Sequence, residues 1–129
     1  MIREYQPERD RALVGGWWLE RGWPCPPECL PACGVIVSQE GEERAAGWLY
    51  LDNSTPVAWI AWLVTKPEIS GRQARSALDE LIEALCGIAR SQGRARIFFS
   101  SARASMTTFM QTHGFSVGDE QTTHLIKEI

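Results

Sequence analysis

The chain has 129 residues, of which 44% are hydrophobic and 22% charged. This length suits one domain, residues 1–129, that buries a hydrophobic core without disulfide or metal support. The net charge of −3 offers no basic surface, so we expect neither nucleic acid nor an anionic membrane as a partner.

The N-terminal residues and the cysteine content bear on the cellular compartment. The first ten residues, MIREYQPERD, lack the apolar core of a secretory signal peptide. No apolar run approaches the roughly 20 residues that span a bilayer. We therefore expect a cytoplasmic protein whose four cysteines stay reduced.

The first half of the chain predicts one helix among four strands. Residues 2–5 alternate as a short strand does, and residues 8–21 carry apolar side chains at near-helical spacing that ends at Gly22. Two strands are expected around a turn at Gly41, and the apolar run VAWIAWLV at 57–64 predicts a third. Successive strands of this kind favour an antiparallel meander.

A long amphipathic helix is predicted over residues 71–92. Its apolar residues recur at i, i+3, i+4 and i+7, and Ser70 with Gln73 forms the pattern of a capping box. Gly93 is the residue type that ends helices.

The remaining residues predict a strand, a short helix and two further strands. The strand is ARIFFSS at 95–101, the helix covers 103–113, and 115–129 would hold two short strands with a turn near Gly118. The order of elements predicts an α/β fold with a mixed, mostly antiparallel sheet flanked by helices.

This order, with VTKP at 64–67 and FMQTHGF at 109–115, resembles the GNAT superfamily of N-acetyltransferases. The resemblance covers nearly the whole chain as topology. It implies that the strand ending in VTKP lies against acetyl-CoA and that the backbone of Leu63 and Val64 contacts the pantetheine arm. The same backbone groups would polarise the acetyl carbonyl.

The resemblance also places the cofactor's pyrophosphate on the loop and helix start that follow VTKP. The family pattern R/Q-x-x-G-x-G/A falls here on residues 70–75, where its glycines become Gln73 and Arg75. Arg72 and Arg75 can supply charge-assisted contacts to phosphate. Alternatively, these are solvated first-turn residues and Gln73 serves only the capping box. The implied cofactor residues are Leu63, Val64, Gly71, Arg72, Gln73, Ala74, Arg75 and Ser76.

The C-terminal motif departs from the family at two positions. The tyrosine that protonates the departing thiolate corresponds to Met110, and a frequent asparagine corresponds to Arg103. A thioether cannot donate a proton. His113 is the nearest candidate for proton transfer, and its alternative role is interaction with a helix C-terminus.

In the GNAT arrangement, the segment between the first two helices overlies the acceptor side of the cleft, and WWLERGWPCPPECLPACG at 17–34 occupies that place here. Its tryptophans, Trp17, Trp18 and Trp23, can line an apolar or cation-accepting pocket, or they can pack into the core. Cys25, Cys29 and Cys33 follow one another with three intervening residues each, a spacing that differs from the paired C-x-x-C of zinc sites, and prolines interrupt the segment. We expect reduced thiols rather than a metal.

The resemblance implies an acetyl-CoA-dependent N-acetyltransferase that transfers the acetyl group directly to a small-molecule or protein amine. The alternative is a catalytically inactive GNAT-fold module that binds a protein or a small ligand. Either would be a monomer or a homodimer. The stretches WWLERGWP, GWLYLDNS and THLIKEI also resemble small GNAT-like proteins of bacteriophages and prophages.

Overall fold

A computed structural model describes residues 1–23 and 30–129 of the chain. The elements in these ranges are, in chain order, β1 (Ile2–Glu4), α1 (Pro7–Glu20), β2 (Cys33–Gln39), β3 (Glu42–Leu51), β4 (Val57–Thr65), α2 (Gly71–Ser91), β5 (Arg96–Phe98) and α3 (Ala104–Gln111). The predicted order is confirmed from the first strand to the third helix.

The five strands form one sheet in the order β1-β2-β3-β4-β5. Neighbouring strands are antiparallel from β1 to β4, whereas β4 and β5 are parallel. A parallel pair needs a crossover, and α2 provides it. The predicted mixed and mostly antiparallel sheet is confirmed.

The turn between β2 and β3 explains the Gly41 signal. Glu40 and Gly41 both have positive φ, at 53° and 76°, and they join the paired residues Gln39 and Glu42. Two positive φ angles define the two-residue turn whose twist matches that of the flanking strands. Glycine takes this conformation without steric cost.

The long helix begins and ends as predicted. The N–H of Gln73 donates to Oγ of Ser70 at 3.1 Å, and the N–H of Ser70 donates to Oε1 of Gln73 at 3.0 Å. Gly93 follows the helix with φ 74°. None of the helices in the described ranges is long and apolar enough to cross a membrane.

The C-terminal part differs from the sequence prediction. The last described strand, β5, has three residues rather than seven, and residues 115–129 contain no strand. Leu125 and Ile126 are exposed by 85% and 82%. Alternating apolar residues form a strand only where another strand accepts their backbone hydrogen bonds, and the tail has no such neighbour in this structure.

The core lies on both faces of the sheet. On the α2 face, residues of α2 and α3 pack against β2, β3 and β4, and the cluster is built mainly from aliphatic side chains such as Leu81, Ile82 and Leu85. On the α1 face, Trp17, Trp18 and Trp48 belong to one buried cluster. Side chains alternate between faces along each strand. The α2 face and the α1 face therefore have separate clusters.

Candidate functional site

A gap opens in the sheet beside the second half of β4. This strand has nine residues, but only Val57, Ala58 and Trp59 pair with β5. From Ile60 onward, no strand in the described part of the chain pairs with this edge of β4. Unpaired backbone groups at a sheet edge can bind an extended ligand.

A β-bulge lies in β4 next to this gap. The register between β3 and β4 slips so that Gly47 faces two residues, Trp62 and Leu63. Trp62 takes φ 60°, which is rare outside glycine. A Cβ at Gly47 would lie 2.6 Å from Cδ2 of Leu63, so glycine is needed for Leu63 to pack there. Bulges re-aim backbone groups and recur next to active sites.

The backbone groups at the end of β4 alternate in direction. The N–H of Lys66 donates to the carbonyl of Arg44 at 2.8 Å. In an antiparallel pair the direction of the backbone groups alternates, so the N–H and C=O of Val64 point toward β3 and those of Thr65 point toward the gap. Arg21 then donates to the Thr65 carbonyl at 3.0 and 3.2 Å and to its Oγ1 at 2.7 Å. The Thr65 carbonyl is therefore already bonded by a side chain of the same protein.

The residues after α1 reach across the gap to the start of α3. The guanidinium groups of Arg21 and Arg103 lie 5.1 and 4.9 Å from the centre of the Trp23 ring. Both contacts are within the range of cation–π attraction. Arg103 is the N-cap residue of α3. Trp23 therefore lies at the gap, between two cations.

Two of the three tryptophans predicted for an acceptor pocket are core residues. Trp17 and Trp18 are only 4% and 5% exposed, and they pack in the cluster of the α1 face. Side chains this buried have almost no surface for a ligand. Of the two predicted roles, core packing is therefore the one that fits Trp17 and Trp18, because α1 turns both side chains toward the sheet.

The N-terminus of α2 lies just beyond the end of β4. The capping box satisfies Ser70 and Gln73, while the first-turn N–H groups of Gly71 and Arg72 have no acceptor within the helix. This end of the helix carries the positive end of the dipole. The Arg72 side chain is exposed, and among the described residues it has no ion pair. The arrangement suits an anion.

Arg75 and Ser76, also predicted to contact cofactor, have partners in the protein. Nε of Arg75 lies 3.7 Å from Asp79, and its guanidinium lies 4.7 Å from the centre of the Phe109 ring. Oγ of Ser76 accepts a hydrogen bond of 3.1 Å from the Gln39 side chain. Arg75 thus joins α2 to α3, and Ala74 continues the first turn of the helix.

His113 is bound to α2 through both ring nitrogens. Nε2 lies 2.9 Å from Oδ1 of Asp79, and Nδ1 lies 2.9 Å from Oε1 of Glu83. Carboxylates only accept hydrogen bonds, so each contact is a hydrogen bond when the ring nitrogen that faces the carboxylate carries a proton. The neighbouring Met110, at the position of the family's tyrosine, is buried in the cluster of the α2 face.

Four exposed aromatic residues, which we call the aromatic shelf, lie on the α1 face beyond α1: Tyr50, Trp59, Trp62 and Phe98. Their exposed fractions are between 37% and 43%. Tyr50 pairs with Trp59 across β3 and β4, and the rings of Trp59 and Phe98 meet edge to face at 5.4 Å. Nε1 of Trp62 donates to the Tyr50 hydroxyl at 2.9 Å. The shelf therefore runs across three strands.

A groove of about 540 Å³ follows one end of the aromatic shelf. Its lining includes Pro31, Cys33, Tyr50, Asp52 and Trp59. Hydrogen bonds from Thr55 and Ser54 lower the pKa of Asp52 to about 2, so this carboxylate stays ionised at neutral pH. Burial, and to a smaller extent the charge of Glu4, raises the pKa of the Cys33 thiol.

The sequence predictions did not include the aromatic shelf. The tryptophans of VAWIAWLV were visible, but the whole run is apolar, so its pattern does not show which residues a helix covers.

The cysteine-rich segment is only partly described. Cys25 and Cys29 lie outside the described residues, whereas Cys33 and Cys86 are half-buried free thiols. In residues 1–23 and 30–129 there is no group of three or more His, Cys, Asp or Glu side chains that could hold a metal. The expectation of reduced thiols remains a prediction.

Comparisons with known proteins identify the fold. No protein-family model matches the sequence, and no curated protein sequence matches it. An acetyltransferase of Trypanosoma brucei is similar in structure, with a TM-score of 0.68 and 16% identity over 98% of this chain and 99% of that one. Glucosamine-6-phosphate N-acetyltransferase from Arabidopsis thaliana is also similar, with a TM-score of 0.66 and 14% identity over 98% of both chains.

A third similar structure contains a bound cofactor. N-acetylglutamate synthase from Neisseria gonorrhoeae, solved with coenzyme A and N-acetyl-glutamate, has a TM-score of 0.63 and 17% identity over 86% of this chain and 27% of that one. The chain therefore has the fold of the GNAT N-acetyltransferases, as the predicted order of elements implied.

Proposed function

We propose that the protein binds acetyl-CoA in the gap beside β4 and transfers the acetyl group directly to an amine. The observation that carries this proposal is the unpaired edge of β4 after Trp59, which leads to the N-terminus of α2. An extended arm can pair with such an edge, and phosphates suit such a helix end. The fold shared with N-acetyltransferases supports the same reading.

The residues at this site fit the chemistry of acetyl-CoA. Its phosphates need donors and positive charge, which the N–H groups of Gly71 and Arg72 and the Arg72 guanidinium can provide. Arg21 and Arg103 add positive charge at the gap. Helix-dipole physics disfavours cations in the first turn of a helix, so an arginine there is better accommodated beside an anion.

The bound acetyl-CoA supplies an activated thioester. The chain would hold the thioester beside the β4 bulge, where the backbone of Leu63 lies next to the gap and could polarise the acetyl carbonyl. The backbone N–H and C=O of Val64 point toward β3 and away from the gap. Of the two residues that the resemblance implied, Leu63 is therefore the one we propose as a donor. Positioning the amine and the thioester together supplies much of the rate enhancement.

In this proposal, the residue at the family's tyrosine position, Met110, does not protonate the departing thiolate. Met110 has no proton to donate. His113 holds α3 to α2 through Asp79 and Glu83, so we assign it a positioning role rather than a catalytic one. The thiolate would take its proton from solvent, which reaches the strand edge beside the exposed Trp62.

A second candidate function is an inactive GNAT-fold module that binds a ligand without turnover. Two observations favour it. Met110 replaces the acidic tyrosine, and Arg21 already bonds the Thr65 carbonyl on the open edge of β4.

Calorimetric titration with acetyl-CoA tests the proposal. We expect micromolar affinity, weakened about tenfold by Arg72→Ala through the loss of a charge-assisted contact. Arg11→Ala, an exposed arginine on α1, is the matched control and should leave affinity unchanged. The absence of binding at millimolar acetyl-CoA would contradict the proposal. Binding without thiol release in the presence of amines would favour the inactive module.

A further inference from the structure

We propose that the aromatic shelf and its groove bind an organic cation that carries a second amine, and that this molecule is the acetyl acceptor. The role as acceptor rests on the proposed function, whereas binding of the cation does not.

The exposure of the shelf indicates a binding surface. Four large aromatic side chains expose between 37% and 43% of their surface in one contiguous row. Contiguous apolar patches on soluble proteins commonly mark binding sites. The edge-to-face contact of Trp59 with Phe98 and the hydrogen bond of Trp62 to Tyr50 hold the rings in place. A ligand therefore meets a surface that is already ordered.

The charge of the groove selects a cation. Asp52 is the only charged side chain among the described residues that line it. Four hydrogen bonds from Ser54 and Thr55 all reach Oδ2 of Asp52, and none from the described residues reaches Oδ1. Aromatic faces attract cations through the ring quadrupole. Trp59 and Tyr50 line the same groove as this carboxylate.

The shelf connects the groove to the site of the proposed reaction. Tyr50 lines the groove, and its hydroxyl accepts from Trp62, which lies in the bulge of β4. Trp59 and Trp62 are three residues apart, which corresponds to about 10 Å along a strand. A ligand anchored at Trp59 can therefore extend toward the gap.

The anchored nitrogen cannot be the one that is acetylated. A nitrogen held as a cation beside Asp52 is protonated or quaternary and has no lone pair for attack on a thioester. The acceptor must therefore carry a second amine that reaches the bulge in its neutral form. That nitrogen forms a bond to the acetyl carbon as the carbon–sulfur bond breaks. It loses one proton to solvent, and the thiolate takes one up.

Two matched probes test the cation site without acetyl-CoA. Choline carries a quaternary nitrogen, and 3,3-dimethyl-1-butanol has the same shape without the charge. We expect choline to shift the indole N–H resonances of Trp59 and Trp62 in ¹H–¹⁵N spectra, with saturation in the millimolar range. The neutral probe should bind about tenfold more weakly. Equal binding of both probes, or no shift from choline, would overturn the proposal.

Variants locate the binding. Trp59→Leu and Asp52→Asn should each weaken choline binding about fivefold, because each removes one of the groups that attract the cation. Asp119→Asn, the same change at an exposed residue of the tail, should have no effect. Retained folding is checked by the unshifted signals of the α2 face. Unchanged choline affinity in Trp59→Leu would overturn the proposed site. The site would also be overturned if sedimentation shows a dimer that Trp59→Leu dissociates, because the shelf would then be a dimer interface.

Steady-state kinetics with two amines tests separately whether the molecule bound at the shelf is the acetyl acceptor. With saturating acetyl-CoA, kcat/KM for 1,7-diaminoheptane should exceed that for n-heptylamine about tenfold, and Trp59→Leu should remove the difference. Equal kcat/KM for the two amines would overturn the acceptor role. If choline binds at the shelf while acetyl-CoA fails to bind, the cation site stands and the proposed function fails. If acetyl transfer occurs but choline does not bind at the shelf, the proposed function stands and the cation site fails.

Discussion

The two faces of the sheet differ in how completely they are covered. On the α2 face, Ala58 and Ile60 of β4 are fully buried beneath the helices. On the opposite face of the same strand, Trp59 and Trp62 remain exposed although they are equally apolar. Apolar residues along one strand are therefore in two environments: one set is buried and stabilises the fold, and the other remains exposed to solvent.

The largest expected effect of a single substitution lies on the covered face. Leu81→Ala removes a buried side chain that packs on the sheet, and we expect a loss of about 3 kcal/mol in the free energy of unfolding. Urea denaturation measures it. Leu19→Ala, at an exposed position of α1, is the control and should change stability by less than about 0.5 kcal/mol. Equal effects at both positions would contradict the packing of the α2 face.

A partly buried ion pair joins α1 to β1. Arg3 donates to both carboxylate oxygens of Asp10 at 2.7 and 2.9 Å, and the N–H of Gln6 donates to Oδ2 at 2.8 Å. We expect Asp10→Asn to cost about 2 kcal/mol in the free energy of unfolding, because it weakens charge-assisted hydrogen bonds.

The pH dependence of this contribution follows from the sign of the shift. The hydrogen bond from Arg3, with smaller help from Gln6, lowers the pKa of Asp10 in the folded protein from its ordinary value of 3.8. Asp10 therefore stabilises the fold fully above about pH 4 and loses this effect as pH falls through its folded pKa. The stability difference between the protein and Asp10→Asn should shrink below pH 4. A difference independent of pH would contradict the assignment.

The smallest expected effect concerns His113. His113→Gln removes contacts of α3 with two partly exposed carboxylates, and we expect a loss of about 1 kcal/mol in stability. Turnover, once an amine acceptor is established, should stay within about twofold, since both ring nitrogens lie against carboxylates of α2. A catalytic acid would instead contribute about 100-fold or more. A loss of that size with intact folding would restore His113 as a proton donor.

The elements of the fold could be predicted because their signals are local. The Ser70–Gln73 capping box and the Gly41 turn are encoded within a few residues, and the structure contains both. The prediction of two strands in the tail was wrong. The alternation of apolar and polar residues in 115–129 does not show whether a neighbouring strand accepts the backbone hydrogen bonds.

The candidate site was less accessible to prediction. The contact of Arg21 with Thr65 joins residues 44 positions apart, so no local pattern indicates it. The exposure of Trp59 depends on how far α1 extends over the sheet. By contrast, the sequence located Gly71 and Arg72 correctly at a helix start, because that boundary is set by Ser70.

A crystal structure with coenzyme A tests the central claim most directly. We expect the pyrophosphate at the N–H groups of Gly71 and Arg72, and the pantetheine arm along the edge of β4 beyond Trp59. The aromatic shelf should remain open on the α1 face. Coenzyme A bound elsewhere, or absent from crystals grown at millimolar concentration, would contradict the account.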